Sequence, residues 1–359
     1  MMTTRGWMGP RTKTRAKTRT TCDLAAAFLL ALAGCAGANN APDAAHPSNA
    51  ANANDAANAP NTADSPAAHA AATHTTGSHP AATQTTAATT HDYAPVARVF
   101  GKQGKPFPGG LYKFEFPRTD LKLTVRGLNL STSLTHTTSF IFYPMSDGKV
   151  MVMSDFVTTE SEAQAVMSKL VGSPVRMSAM HKHLLSEEPR LLWIHLMAEG
   201  DQVEIARMVH GALGQTGALG APAPKPIEHT VDGGKLDRIL GGAGVVDAGV
   251  RHYLFPRKEA IKMRGMAVPS TFGAMASLRF QPTGGGKAAI NGDFSMLADE
   301  VQGVVDTLRQ HGIEIAELHH HDLWDEPRLF YLHFWAHDDA EKLARALRAA
   351  LDKTNVGPT

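Results

Sequence analysis

The chain has 359 residues, a formal charge of +1 at pH 7 and 43 % hydrophobic side chains. Near-neutral charge with this apolar fraction describes a globular protein long enough for two domains, and excludes a wholly disordered or strongly basic nucleic-acid-binding chain. Its two cysteines, Cys22 and Cys35, both lie near the N-terminus, so the remainder has no thiol for a disulfide, a thiolate nucleophile or a cysteine-type zinc site.

The first segment places six bases (Arg5, Arg11, Lys13, Arg15, Lys17, Arg19) ahead of the short apolar run at 24–32. This is the layout of a signal peptide at 1–34, too short for a permanent membrane span. Leu32-Ala33-Gly34-Cys35 resembles the lipobox of bacterial lipoproteins, which implies cleavage before Cys35 and acylation of that residue. Removing residues 1–34 takes out the six bases and Asp23 and leaves a formal charge of −4. That charge argues against nucleic acid as a partner, so the lipid at Cys35 is the expected membrane attachment. Residues 35–91 are Ala, Asn, Thr and Pro with scattered histidines, which predicts a disordered spacer about 40 Å from end to end. The resulting address is the cell envelope, facing the periplasm from the outer membrane if the host has one, since Ala36 rather than Asp follows the cysteine.

Two repeats follow, at 92–213 and 229–352, with a Pro-rich linker at 214–228 and a tail at 353–359. Each opens on an Arg-containing apolar segment and a Gly-rich turn (Val96 to Gly101, Leu236 to Gly241), then Phe116-Pro117-Arg118 or Phe255-Pro256-Arg257. The glycines lack phosphate-loop spacing and read as turns. In the second copy the pattern predicts strands at 277–280, 287–294, 313–321 and 329–336, and helices at 298–311 and 339–351, the last opened by Asp339 at its cap. The expected fold class is α+β: two tandem homologous repeats, each a four-stranded, mainly antiparallel sheet with helices on one face, in the order ββαββα.

One segment is written twice. His181-Lys-His183 with Glu188-Pro189-Arg190 and His195 recurs as His319-His-His321 with Glu326-Pro327-Arg328 and His333, displaced by 138 residues throughout. The duplicated H-x-H and E-P-R segments, with the Asp338-Asp339-Ala340-Glu341-Lys342 helix start, resemble the LppY/LpqO family of bacterial lipoproteins over about residues 94–352. The resemblance implies an envelope address and brings no established activity, substrate or catalytic residue.

On a strand, residues two apart share a face, so His181 with His183, and His319 with His321, each present two imidazoles on one side. His195 and His333 lie on the next strand, and whether they join that side depends on the length of the turn. Three readings stay open: a site for zinc or another divalent metal formed by His181, His183, His195, His319, His321 and His333; a pocket for an unknown small ligand or envelope component; or hydrogen-bonded structural hairpins, with Glu188 or Glu326 paired to Arg190 or Arg328. His320, Asp322 and His337 add donors to the second copy, and the first reads as the degenerate half. Along the last strand, Phe330, Leu332, Phe334 and Ala336 point to the helices; Leu329, Tyr331, His333, Trp335 and His337 belong to a second interior. Asp155 and Asp293, in the repeated Asp-Phe before the first helix of each copy, have two readings, catalytic acids or braces of a strand-to-helix turn, and their position favours the brace.

The functional expectation is an envelope lipoprotein acting as a ligand-binding or structural module with a histidine-based metal site, more a binder than an enzyme. The alternative is a metal-dependent hydrolase, for which Glu317, Glu326 and Asp322 are the candidate bases.

Overall fold

The computed structural model describes residues 91–357, which form part of a single compact unit. Cys35, the signal segment and nearly all of the spacer lie outside the described residues.

The first repeat runs α1 (Ala94–Phe100), β1 (Lys105–Phe107), β2 (Leu111–Pro117), β3 (Thr124–Val125), β4 (Leu128–Asn129), β5 (Thr137–Pro144), β6 (Val150–Thr159), α2 (Glu160–Leu170), β7 (Arg176–His181), β8 (Glu187–Glu188), β9 (Leu191–Gly200) and α3 (Gln202–Leu213). The second repeats it as α4 (Gly233–Leu240), β10 (Val245–Asp247), β11 (Val250–Pro256), β12 (Ile261–Met263), β13 (Met266–Val268), β14 (Met275–Gly284), β15 (Lys287–Met296), α5 (Val301–Gln310), β16 (Glu314–His319), β17 (Asp325–Glu326), β18 (Phe330–Asp339) and α6 (Ala340–Leu351). The duplicated α+β organisation is as expected.

Each main sheet, however, has six strands rather than four, in the orders β1-β2-β5-β6-β9-β7 and β10-β11-β14-β15-β18-β16, all antiparallel. The two added strands per sheet form an outer hairpin, β1-β2 or β10-β11. Its outermost strand is three residues long and largely exposed, so it carries almost no apolar alternation to read. The Arg-containing segments that open each repeat are helices, α1 and α4, each stopped by a left-handed glycine, Gly101 and Gly241.

Helix placement follows local chemistry. Thr159 and Glu162 close a capping box at the start of α2, and Asp339 accepts from the Lys342 amide at the start of α6. Each sheet then uses its two faces differently. Phe114, Phe140, Phe142, Ile194 and Leu196 meet α1, α2 and α3, while Phe280, Ile290, Phe294, Leu332 and Phe334 meet α4, α5 and α6.

The opposite faces meet each other. One apolar cluster joins Ile141, Met151, Met153 and Met197 of the first repeat to Ile261, Phe272, Leu329 and Tyr331 of the second. Another joins Leu134, Val157, Leu191 and Trp193 to Val250, Ala289 and Trp335. Alternation along β18 therefore divides as its sequence predicts, with Leu332 and Phe334 toward helices and Tyr331, His333 and Trp335 toward the other sheet. Polar groups cross the same junction: Asn291 Nδ2 donates to the His183 carbonyl at 3.0 Å, and the Gln281 amide bridges the Asn129 carbonyl and the Ser131 N–H. The result is a helix–sheet–sheet–helix stack whose middle is lined from both repeats.

A candidate metal centre shared by the two repeats

The six repeated histidines meet in that middle layer. His181 and His319, equivalent positions in the two repeats, stack with ring centroids 3.8 Å apart. His183 lies 3.7 Å from His333, and its counterpart His321 lies 3.8 Å from His195. Pairs exchanged between the repeats thus share one distance, which places a local two-fold axis between His181 and His319. The symmetry is approximate: His181 to His333 is 4.9 Å, but the exchanged pair His319 to His195 opens to 6.2 Å. The second histidine of each H-x-H rests on an aromatic ring at matching positions, His183 on Trp193 at 4.2 Å and His321 on Tyr331 at 3.4 Å.

Strand register explains the convergence. Asp155 is paired with Ser139 on one side and His195 on the other, and Asp293 likewise with Ser277 and His333. Residues in cross-strand register share a sheet face, so each sheet presents a Ser-Asp-His row to its partner. Asp155 and Asp293 therefore stand within strands and face the interior, which corrects their reading as turn braces; the helix caps after them are Thr159 and Glu300. Repetition of Asp-Phe in both copies was the available signal.

Burial governs the chemistry of these groups. It holds His195 and His319 down to about 3, and His181, His183, His321 and His333 well below the ordinary imidazole value, neighbouring histidines adding to the effect. All six are therefore neutral at neutral pH, the form that ligates metal. Burial also pushes the Asp155 and Asp293 carboxyls up to about 7, against the pull of Arg279. The Asp155 side chain keeps 29 % of its exposure.

Hydrogen bonding leaves this cluster incomplete. His333 Nδ1 donates to the Gly292 carbonyl at 3.0 Å, which fixes its tautomer and leaves Nε2 a buried lone pair with no partner. Nε2 of His195, His319 and His321 is equally buried and unpartnered, as are Nδ1 of His181 and His319. Nε2 of His181 and of His183 face each other at 3.0 Å, with the Asp155 carboxylate 3.9 Å from His183. An unsatisfied buried polar group costs about 1–3 kcal/mol, so several imidazole nitrogens left unpartnered at one point of the interior suit a shared ligand there.

Among the described residues two sets have donor atoms close enough to hold an ion: His181, His319, His321 and His333, all within 4.8 Å of one another, and Asp155 with His181 and His183. A tetrahedral zinc shell with Zn–N of about 2.0–2.1 Å separates its ligands by about 3.4 Å, so the four-histidine set fits after a small rotation of the rings. A cavity of about 40 Å³ bounded by His183, His195, His321, His333, Asp155 and Asp293 adjoins them. Its size suits one or two water-sized species.

The other candidates fall elsewhere. His320 is exposed, and His337 is exposed and bonds Thr283 at 2.9 Å. Glu326 is exposed on β17. Glu317 accepts from the Lys182 amide at 2.7 Å and thereby ties the repeats together. Asp322 is buried, with one oxygen on the Trp324 amide. The expected Glu188–Arg190 and Glu326–Arg328 pairs are replaced by the neighbouring acids: Asp325 takes Arg328 at 2.6 Å, while buried Glu187 takes Lys182 at 3.1 Å. A two-residue strand points alternate side chains to opposite faces, and the inward one is Glu187 or Asp325. Both repeats contribute three rings to the cluster, so the first is no degenerate copy. Lys113, His252 and Arg279, which border the site, carry no repeated motif and escape sequence reading.

Among known proteins, none of the curated ones is significantly similar to the chain. Solved structures similar at low level include two with very low scores. One is the double-ringed trimeric shell protein MSM0271 from the RMM microcompartment, 10 % identical, covering 60 % of this chain and 88 % of that one with a TM-score of 0.17. The other is EtuB from Clostridium kluyveri, 14 % identical, covering 69 % and 90 % with a TM-score of 0.16. Neither carries an argument about fold or role at such scores. The family match is of another kind, falling twice in tandem at residues 94–215 and 234–353, and by it the chain belongs to the family described as Domain of Unknown Function (DUF1259).

Proposed function

We propose that this protein is a metal-binding module of the bacterial cell envelope, with one centre built jointly by its two repeats. The observation that carries the metal reading is the convergence of six neutral imidazoles, five buried and His319 half-buried, several with unpartnered Nε2 atoms, from equivalent positions of both halves. Zinc or another divalent ion accepting nitrogen ligands suits the donor set. Purified untagged and without chelator, the chain is expected to hold the metal in a fixed stoichiometry by elemental analysis. The His319→Ala/His321→Ala variant should lose the ion while keeping the wild-type far-ultraviolet circular dichroism. A wild-type chain that neither carries nor takes up zinc, cobalt, nickel, copper or manganese sinks the reading.

A hydrolase is the second reading, and one observation favours it: the Asp155 and Asp293 carboxyls flank the small cavity beside the rings, where a carboxylate can take a proton from water. Hydrolysis of model esters or phosphoesters that depends on both the metal and these two acids would select it over simple binding.

The envelope address rests on the residues before Cys35 and on the likeness to the LppY/LpqO lipoproteins. In a bacterial host, palmitate label should enter the chain, and Cys35→Ala should abolish labelling and release the protein from membranes. Label retained in that variant removes the anchor.

A further inference from the structure

Beside the histidine cluster lies a second, larger cavity of about 450 Å³, within the range of small-molecule sites. Five side chains, Asp155, His195, Arg279, Asp293 and His321, border both this cavity and the 40 Å³ space among the rings, so the two adjoin. Its outer wall includes Lys105, Lys113, Val245 and His252 from the outer hairpins, the strands that enlarge each sheet from four to six.

The wall is not two-fold symmetric. Arg279 stands where the first repeat has Ile141, one position of the 138-residue register. Nη1 of Arg279 donates to the Leu134 carbonyl at 3.2 Å; its buried Nε has no partner, and among the described residues it makes no ion pair. Cross-strand from it is His252, whose Nε2 is likewise buried and unpartnered. Of the other charges of this cavity, Glu115 pairs with both Lys105 and Lys113 at 2.7 Å and Asp247 accepts from Ser133 at 2.6 Å, while Asp155 and Asp293, at the inner end, feel the charge of Arg279 without forming an ion pair with it. A guanidinium with an unused donor edge next to an unused imidazole nitrogen is a fork for a carboxylate. Ile141, Met153, Met275 and Val245 give the wall an apolar stretch.

We propose that this cavity binds a small organic carboxylate, its head on Arg279 and His252 and its apolar body along Ile141, Met153 and Met275, with the metal centre at its inner end. The inference rests on the metal-centre reading only for what lies at that inner end.

Isothermal titration of octanoate into the full chain, in metal-loaded and chelator-treated forms, tests it, with 1-octanol and inorganic phosphate as comparators. Saturable binding of one octanoate per chain is expected, with the alcohol and phosphate at least tenfold weaker. Arg279→Gln should weaken octanoate at least tenfold with unchanged metal content. Met275→Trp, which fills the apolar part and leaves the charges alone, should do the same and decides the matter if Arg279→Gln does not fold. Octanoate binding to neither form overturns the proposal, as do folded variants with wild-type affinity or phosphate binding as tight as octanoate. Metal content measured on the same samples keeps this outcome separate: a metal-free chain that binds octanoate through Arg279 loses the metal reading and keeps this one.

Discussion

Arg257→Met is expected to lower the unfolding free energy by about 3 kcal/mol or more, the scale for breaking a buried ion pair from one side. The Arg257 side chain is fully buried and its fork is filled: Nε and Nη2 donate to Glu259 at 2.9 and 2.8 Å, Nη1 and Nη2 to Glu300 at 2.6 and 3.0 Å, and Nη1 to the Ser295 carbonyl at 2.7 Å. These bonds tie the end of β11 to the start of α5 and the end of β15. Methionine fills similar volume but strands two carboxylates whose side chains keep only 22 % and 12 % of their exposure. Lysine keeps the charge and loses the planar double fork, so it should rescue only part of the loss. Arg118, with Asp120, Glu162 and the Val157 carbonyl, builds the same device in the first repeat, and Arg118→Met should cost a similar amount. Guanidinium denaturation of the three variants against wild type measures this. A loss below about 1 kcal/mol would show that the paired arginines are dispensable ornaments of the turn.

Chelator-treated protein is expected to lose stability steeply between pH 7 and 5. Eight histidines, the six of the cluster together with His136 and His252, have folded pKa values held below the ordinary imidazole value, first of all by burial. A depressed histidine pKa means that below about 6.5 the unfolded chain binds protons that the folded chain refuses, so stability falls as pH falls. Each such group costs roughly 1.4 kcal/mol per pH unit below about 6.5 until its folded pKa is reached. Asp155 and Asp293 act with the opposite sign. Their pKa values are raised to about 7, so they hold protons that the unfolded chain has lost, and their contribution is full in acid and fades as pH rises through 7. Two carboxyls do not offset eight imidazoles. Against a typical domain stability of about 5–15 kcal/mol, the net loss is a large fraction of what holds the metal-free chain folded near pH 5. Bound metal should move the transition to lower pH, because ligated imidazoles resist protonation. Circular dichroism across this range checks the prediction, and equal stability of the chelated chain at pH 7 and pH 5 would contradict it.

Much of the architecture is readable before any coordinate. The constant displacement of 138 residues between His181, His183, His195 and His319, His321, His333 establishes the duplication. Alternation in 329–337 separates the helix-facing residues of β18 from those turned to the other sheet, because side chains on a strand change face at every residue. Helix α6 is marked by Asp339 at its cap and by helix formers after it. The outer hairpins are not readable, since β1 and β10 are three residues long and mostly exposed. Nor is the inward choice of Glu187 and Asp325 over Glu188 and Glu326, because a one-residue change of register within the turn exchanges the two faces.

What the amino-acid order determined by itself is which side chains recur and which face of its own strand each one takes, since both follow from covalent spacing and the two-residue period of extended backbone. Only strand pairing and the packing of one sheet on the other decided that six imidazoles share a single interior, that Asp155 and Asp293 join them from mid-strand, and that Arg279 stands beside them without an ion pair among the described residues. The contacts between the two repeats join residues more than a hundred positions apart, set by how two apolar faces exclude water from the space between them, and no local pattern encodes that fit.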